Sequence, residues 1–348
     1  GTPGRTLDLI KRKKLDLSHI SMLVLDEADE MLSMGFKEDL NAILADTPSD
    51  KQTLLFSATM SKEIKNITKK YMKNPEEITI GNKNSGAENV THHYYIVQHK
   101  DKYEALRRIA DINPDVYGIV FCRTKYEAKQ TAEKLIRDGY NADALHGDLS
   151  QPQRDQVMKK FRLKRLQLLV ATDVAARGLD VTDLTHVINL ELPDELGVYT
   201  HRTGRTGRAG KNGTAVSLLS KSELRHIRYL ERTTGKKFEL KDIPLKKDIC
   251  EKQLNHFVEK VKNSGIDKEK IEDFLPAVYE QFSDMSREEI IQHFISIEFN
   301  RFLSYYKNAN DIKAVNTKPQ KEMKSRKNIS FVKYKINLGS DKKTSPMD

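Results

Sequence analysis

Six short apolar runs, separated by amphipathic stretches, constrain the fold of this chain more than any other feature. They are Ser21–Leu25, Thr53–Ser57, Gly118–Cys122, Gln167–Ala171, His186–Leu190 and Thr214–Leu219, most of them rich in Val, Ile and Leu. A strand that is apolar at consecutive positions has no face to give to water, and helices alternating with such strands supply cover on both sides of a parallel sheet. The reading is therefore α/β. Between the second run and the third, Gly81–Asn89 is made mostly of Gly, Asn, Lys and Ser with no apolar periodicity and reads as a linker. Two α/β units flank it, the first short of strands.

After about Lys246 the period becomes helical. Phe257, Val258 and Val261 share one face; Ile271, Phe274, Leu275, Val278, Tyr279 and Phe282 share a second; Ile290, Ile291, Phe294, Ile297, Phe302 and Leu303 line a third. Ser286 followed three residues later by Glu289 is a capping box opening that third helix. Residues 313–328 are polar and basic and read as a solvated tether, and FVKYKINLG beyond them reads as one strand. The organisation expected is 1–81, linker 82–89, 90–244, a helical region 245–312, a basic linker 313–328 and the start of a further domain at 329–348.

Sixty Lys and Arg against 50 Asp and Glu leave a net charge of +10, which favours a polyanionic partner. Two cysteines, Cys122 and Cys250, show neither metal-ligand spacing nor a disulfide framework, so the reading is a reducing, cytoplasmic setting. No run is long enough for a membrane span.

The candidate chemistry gathers at strand ends, where open α/β sheets bind ligands. In LVLDEADEML, Asp26 suits Mg²⁺ and Glu27 suits activation of a water for phosphoryl transfer, although an isolated Asp-Glu pair is more often a solvated turn. Ser57-Ala58-Thr59 ends the second run; alone it is a helix cap. Gly1-Thr2-Pro3-Gly4-Arg5 reads as a turn with Arg5 able to meet a phosphate. YTHRTGRTGRAG spaces Arg202, Arg205 and Arg208 three apart after His201, a pattern able to present guanidinium forks along one edge to a triphosphate or a facing acid cluster. ATDVAARGLD offers Thr172 and Arg177 for a phosphate backbone and Asp180 for a ribose hydroxyl. HGDLSQPQR supplies Gly147, Gln151 and Arg154 at a strand-to-helix junction. Arg123 follows the first run of the second unit, and Cys122 reads as a small core residue.

In this order, TPGR, DEAD, SAT, VFCRT, HGDLSQPQR, ATDVAARGLD and HRTGRTGR, with MGF at Met34–Phe36, resemble the DEAD-box family of ATP-dependent RNA helicases over residues 1 to about 240. The resemblance implies two RecA-like parallel-sheet domains, the first incomplete, followed by a small helical domain. It implies ATP and Mg²⁺ as cofactors and RNA as partner. By resemblance, Asp26 and Glu27 are the metal and water-activating acids, Arg205 and Arg208 nucleotide-binding arginine fingers, and Asp180 the ribose contact. Asp29, Ser57, Thr59, His201 and Arg202 couple the domains. Thr2, Gly4, Arg5, Arg123, Gly147, Gln151, Arg154, Thr172 and Arg177 contact RNA.

The family's phosphate loop, G-x-x-x-x-G-K-[ST], occurs nowhere in the chain. The family places it before TPGR, so residue 1 is expected to cut into the first RecA-like domain. Residues 248–312 resemble, more loosely, the dimerisation region of the bacterial cold-shock, ribosome-assembly branch, with a helical appendage packed on the second unit as the rival. The final stretch resembles the opening of an RRM-like RNA-binding domain. The leading function is an RNA-stimulated ATPase that opens short duplexes in ribosome assembly or cold adaptation, inactive without the loop. The alternatives are an ATP-independent RNA-binding, dimerising module and a DNA-directed motor of the same superfamily, the latter disfavoured by DEAD, TPGR and HRTGR.

Overall fold

The computed structural model describes residues 1–79, 89–179, 181, 183–208, 210–265, 271–308 and 312. The described residues belong to one compact unit, Gly1–Ala314. The linker, apart from Asn89, the basic tether, the final strand and Asp180 fall outside them.

The first lobe runs α1 (Pro3–Lys11), β1 (Met22–Leu25), α2 (Ala28–Ser33), α3 (Lys37–Ala45), β2 (Gln52–Leu55) and α4 (Lys62–Tyr71). The opening turn expected at residues 1–5 is corrected here: Pro3, Gly4 and Arg5 form the first turn of α1, with Thr2 at the N-cap position. Proline preset to a helical φ, with no N–H to lose, explains the difference. β1 and β2 pair in parallel from Met22 with Gln52 to Leu25 with Leu55. Leu25, Leu40, Leu44 and Ile67 form the core on one face, joined by Leu23. Side chains alternate along a strand, so Met22 and Val24 turn the other way and stay 51% and 50% exposed. The cover expected on both faces is therefore present on one side only of this pair among the described residues.

Among the described residues the second lobe holds seven parallel strands: β3 (Val90–Ile96), β4 (Gly118–Phe121), β5 (Ala142–Leu145), β6 (Leu168–Ala171), β7 (His186–Asn189), β8 (Gly213–Leu219) and β9 (Phe238–Leu240). Their order is β5-β6-β4-β7-β8-β3-β9. Between them lie α5 (Lys102–Asp111), α6 (Lys125–Arg137), α7 (Gln151–Arg162), α8 (Asp173–Ala176), α9 (Leu196–Thr203) and α10 (Leu224–Thr234). The central strand β4 shows why the apolar runs are continuous. Val120 joins a core with Leu106 and Leu135 from α5 and α6, while Ile119 and Phe121 join another with Phe161 and Ala175 from α7 and α8.

Three strands carry no such run. β3 lies between β8 and β9, yet it reads VTHHYYI. His92 is buried there because its Nδ1 meets the Tyr199 hydroxyl at 2.8 Å and its ring stacks on Phe238 at 4.8 Å. β5 carries Asp143, and β9 is a three-residue edge.

Beyond the sheet come α11 (Lys246–Asn263), α12 (Leu275–Gln281) and α13 (Arg287–Asn308). The Ser286 N–H donates to Glu289 Oε2 at 2.8 Å and the Glu289 N–H donates to Ser286 Oγ at 3.2 Å, the reciprocal cap read from sequence. The helical region is fastened to α5. The Tyr305 and Tyr306 hydroxyls donate to Glu104 and Asp111, Gln253 Nε2 donates to the Asp111 carbonyl, and the Arg107 guanidinium lies 3.6 Å from the Tyr305 ring centroid.

Candidate functional site

The acid quartet straddles the end of β1 and the start of α2. Asp26 Oδ1 accepts the Glu27 N–H at 2.9 Å, and the Ala28 N–H donates across to the Phe56 carbonyl at 3.1 Å, tying this turn to the end of β2. Glu27 is held at φ 51°, ψ 45°, the left-handed region that a glutamate seldom occupies, and it is exposed. Such a conformation costs about 1 kcal/mol or more and persists where the surroundings impose it, often at functional sites.

Asp29 faces inward instead. Its Oδ2 accepts the Thr59 N–H at 2.9 Å, the Thr59 hydroxyl at 2.8 Å and a hydrogen bond from His201 Nε2 at 3.1 Å. Ser57 Oγ donates to the Thr59 carbonyl at 2.7 Å, which braces that loop. Burial opposes the charge on Asp29, but the bonds from His201 and Thr59 outweigh it and hold its pKa at about 2. Burial likewise opposes protonation of His201, and the hydrogen bond and charge of Asp29, with the charge of Glu30, outweigh it and raise its pKa. Four of the five residues expected to couple the units thus meet in one cluster. The fifth, Arg202, lies 4% exposed within the second lobe. Its Nε and Nη2 donate to the Asp173 carboxylate at 2.6 and 2.8 Å, and Nη1 donates to Asn189 Oδ1 and the Glu191 carbonyl, both at 2.8 Å.

The three arginines, expected along one edge, take different hydrogen-bond partners, although Arg202 and Arg205 border one small cavity with Glu30 and Asp173. Their spacing places Arg202 inside α9 and the other two after its end. Arg205 Nη1 donates to the Leu179 carbonyl at 3.0 Å and Arg208 Nε to the Gly204 carbonyl at 2.6 Å, so each guanidinium is engaged separately. The glycine between them has a structural task. Gly207 sits at φ 68°, and a Cβ there would lie 2.5 Å from Val90 Cγ2.

The remaining candidates lie on both lobes. On the first, Arg5 Nη1 pairs with Asp8 at 2.8 Å, and a Cβ at Gly4 would lie 3.4 Å from an Asp39 carboxylate oxygen. On the second, Arg123 is half exposed and pairs with Glu191 and Asp194 at 3.3 Å each. Gly147 faces open space. Gln151 Nε2 donates to Asp155 at 2.8 Å, Arg154 Nη2 donates to the Ala175 carbonyl at 3.2 Å, and Thr172 occupies the N-cap position of α8. Arg177 turns to the first lobe: its Nε lies 3.2 Å from Glu30 Oε2 and its Nη2 donates to Ser33 Oγ at 3.2 Å. Cys122 is fully buried, which pushes its thiol pKa up, consistent with a core residue.

Sequence reasoning missed Glu30. It follows the quartet directly, and its Oε1 lies 3.2 Å from His201 Nδ1. Nothing in a single sequence separates this buried glutamate from the exposed Glu27 three residues earlier. It borders a cleft of 680 Å³ lined also by Asp29, Thr59, Glu63, Arg177 and His201. Among the described residues no group of three His, Cys, Asp or Glu side chains can hold a metal ion, and no helix is long and apolar enough to cross a membrane.

Sequence profiles of known families match in three places. The DEAD/DEAH box helicase profile covers residues 1–67, the helicase conserved C-terminal domain 101–210, and a profile described as "probable ATP-dependent RNA helicase, helical domain" 249–307. The chain is 42% identical over 263 residues to the DEAD-box ATP-dependent RNA helicase CshA of Geobacillus kaustophilus, covering 76% of this chain and 56% of that one. To CshA of Bacillus anthracis it is 43% identical over 289 residues, covering 83% and 54%. The chain thus spans little more than half the length of these curated relatives. Among solved structures, S. cerevisiae Dbp5 bound to RNA and ADP BeF3 matches with a TM-score of 0.65 and 30% identity, covering 75% of this chain and 68% of that one. Two parallel-sheet lobes, the motifs at their strand ends and these matches agree: the chain belongs to the DEAD-box RNA helicase family.

Proposed function

We propose that the whole protein is an ATP-dependent RNA helicase that opens short duplexes with RNA-stimulated ATP hydrolysis, in ribosome assembly or cold adaptation in the cytoplasm. The observation that carries this reading is the Asp29 carboxylate. It takes hydrogen bonds at once from Thr59, in the loop after β2, and from His201 of the second lobe. A group shared between two lobes makes the spacing of those lobes depend on what binds between them.

In this reading Glu27 orients and deprotonates the attacking water, and Asp26 holds Mg²⁺. Mg²⁺ is commonly bound by one or two carboxylates together with waters and substrate phosphates, so a lone aspartate at a strand end suits it and a three-ligand cage is not needed. When bound, the ion would neutralise charge on the transferring phosphoryl group. Arg205 and Arg208 approach the nucleotide after local rearrangement, Asp180 takes the ribose, and Asp29, Ser57, Thr59, His201 and Arg202 couple the lobes. Thr2, Gly4, Arg5, Arg123, Gly147, Gln151, Arg154, Thr172 and Arg177 receive the RNA backbone. We further assign residues 1–81 and 90–244 to two RecA-like units and 245–312 to a helical unit that forms a homodimer. Phe274, Phe294 and Ile297, 70%, 57% and 79% exposed, support an apolar contact there.

The 348 residues lack the phosphate loop, so this chain alone is expected to bind RNA weakly and to turn over ATP negligibly. Joined to a segment bearing that loop, it should hydrolyse ATP with RNA stimulation, and Glu27→Gln should then abolish turnover while sparing nucleotide binding. Undiminished hydrolysis in that variant would remove Glu27 from its role. Sedimentation with and without residues 248–312 tests the dimer, which an unchanged mass would rule out.

A further inference from the structure

Glu30 lies in the first turn of α2, with its side chain 10% exposed. Its two oxygens face cations from different segments of the second lobe. Oε1 is 3.2 Å from His201 Nδ1 in α9, and Oε2 is 3.2 Å from Arg177 Nε just beyond α8. Ser33, one turn further along α2, accepts a second Arg177 hydrogen bond at 3.2 Å. Burial opposes the charge on Glu30 enough to raise its pKa, and His201 and Arg177 offset only part of that cost. A carboxylate kept in such a place at a cost to its own ionisation is better explained by what it holds than by stability. Asp29 ties α9 to the loop after β2. Glu30 ties α9 and the Thr172–Arg177 segment together to α2, the helix that begins directly after Glu27.

We propose that Glu30 is a positioning residue that seats Arg177 and His201 against α2, so that a nucleic-acid strand engaging the Thr172–Arg177 segment is sensed at Asp26 and Glu27. The identity of that strand rests on the function proposed above; the tie between the lobes does not.

The test uses the whole chain with Cys250→Ser, spin-labelled at Lys14→Cys and Lys237→Cys, exposed positions on the two lobes. The distance distribution between the labels should be narrow in the parent and should broaden in Glu30→Gln and in Arg177→Glu. Glu30→Gln keeps the side-chain shape and removes only the charge, and far-UV circular dichroism checks that it folds. In the same variant the Arg177 Nε–H resonance should exchange with water at least tenfold faster. An unchanged distribution together with unchanged exchange in Glu30→Gln would overturn the proposal. A single-stranded oligouridine should narrow the parent distribution further and leave that of Glu30→Gln unmoved. Failure of RNA to act on the parent would count against the proposed function and against sensing of the strand, while the measurements without RNA decide the tie itself.

Discussion

Replacing Asp29 by Asn should lower the pKa of His201 and weaken the tie between the lobes by about 1.5–3 kcal/mol. Asp29 Oδ2 accepts a hydrogen bond from His201 Nε2 at 3.1 Å, and the aspartate side chain is 8% exposed. A hydrogen bond to a charged group in such a place contributes about 1.5–3 kcal/mol, and its loss withdraws the stabilisation of the protonated imidazole. Glu30, 3.2 Å from the other ring nitrogen, survives the substitution and keeps the fall from being larger. The pH dependence has a definite sign for each partner. The folded-state pKa of His201 is raised above 6.5, so its contribution is fully present below 6.5 and is lost as pH rises through the raised value. Asp29 is depressed to about 2 from 3.8, so its contribution is present above 3.8 and is lost as pH falls through about 2. Long-range ¹H–¹⁵N spectra of the imidazole across pH 5–9 report the midpoint directly. The same midpoint in wild type and Asp29→Asn would refute the contact between the lobes.

Three further outcomes follow from the geometry. Gly207→Ala, which meets both a positive φ of 68° and a contact of 2.5 Å to Val90, should destabilise the second lobe by about 2 kcal/mol or more, whereas Gly210→Ala, at φ 75° with open space around it, should cost about 1 kcal/mol; urea unfolding separates them. Arg202→Met removes four hydrogen bonds and leaves Asp173 and buried Asn189 without their partner, so a loss of about 3 kcal/mol is expected in the same assay. On acidification, Glu30, whose carboxyl pKa burial has raised, should take up its proton before Asp29, so the Arg177 Nε–H signal should change at a higher pH than the Thr59 amide.

Much of the candidate site was legible in the chain itself, because motif order and strand-end position are properties of the sequence. Asp29, Thr59 and His201, grouped by the family resemblance that the motifs carry, meet in space. The arginine series shows the limit. A spacing of three suggests guanidiniums side by side, but α9 ends at Thr203 and Gly207 turns the backbone, so Arg202, Arg205 and Arg208 serve three different partners.

The amino-acid sequence by itself determined the α/β class, through strands such as β4 whose every side chain is buried, and the chemistry present at the strand ends. Only the tertiary structure decided that β3, with two histidines and two tyrosines, is an interior strand of the sheet. It alone decided that Glu30 is buried between two cations while Glu27 is exposed. The physical reason is the same in both cases. A polar side chain can enter the interior when a distant residue supplies its hydrogen bond or counter-charge, and which distant residue that is depends on how the lobes pack.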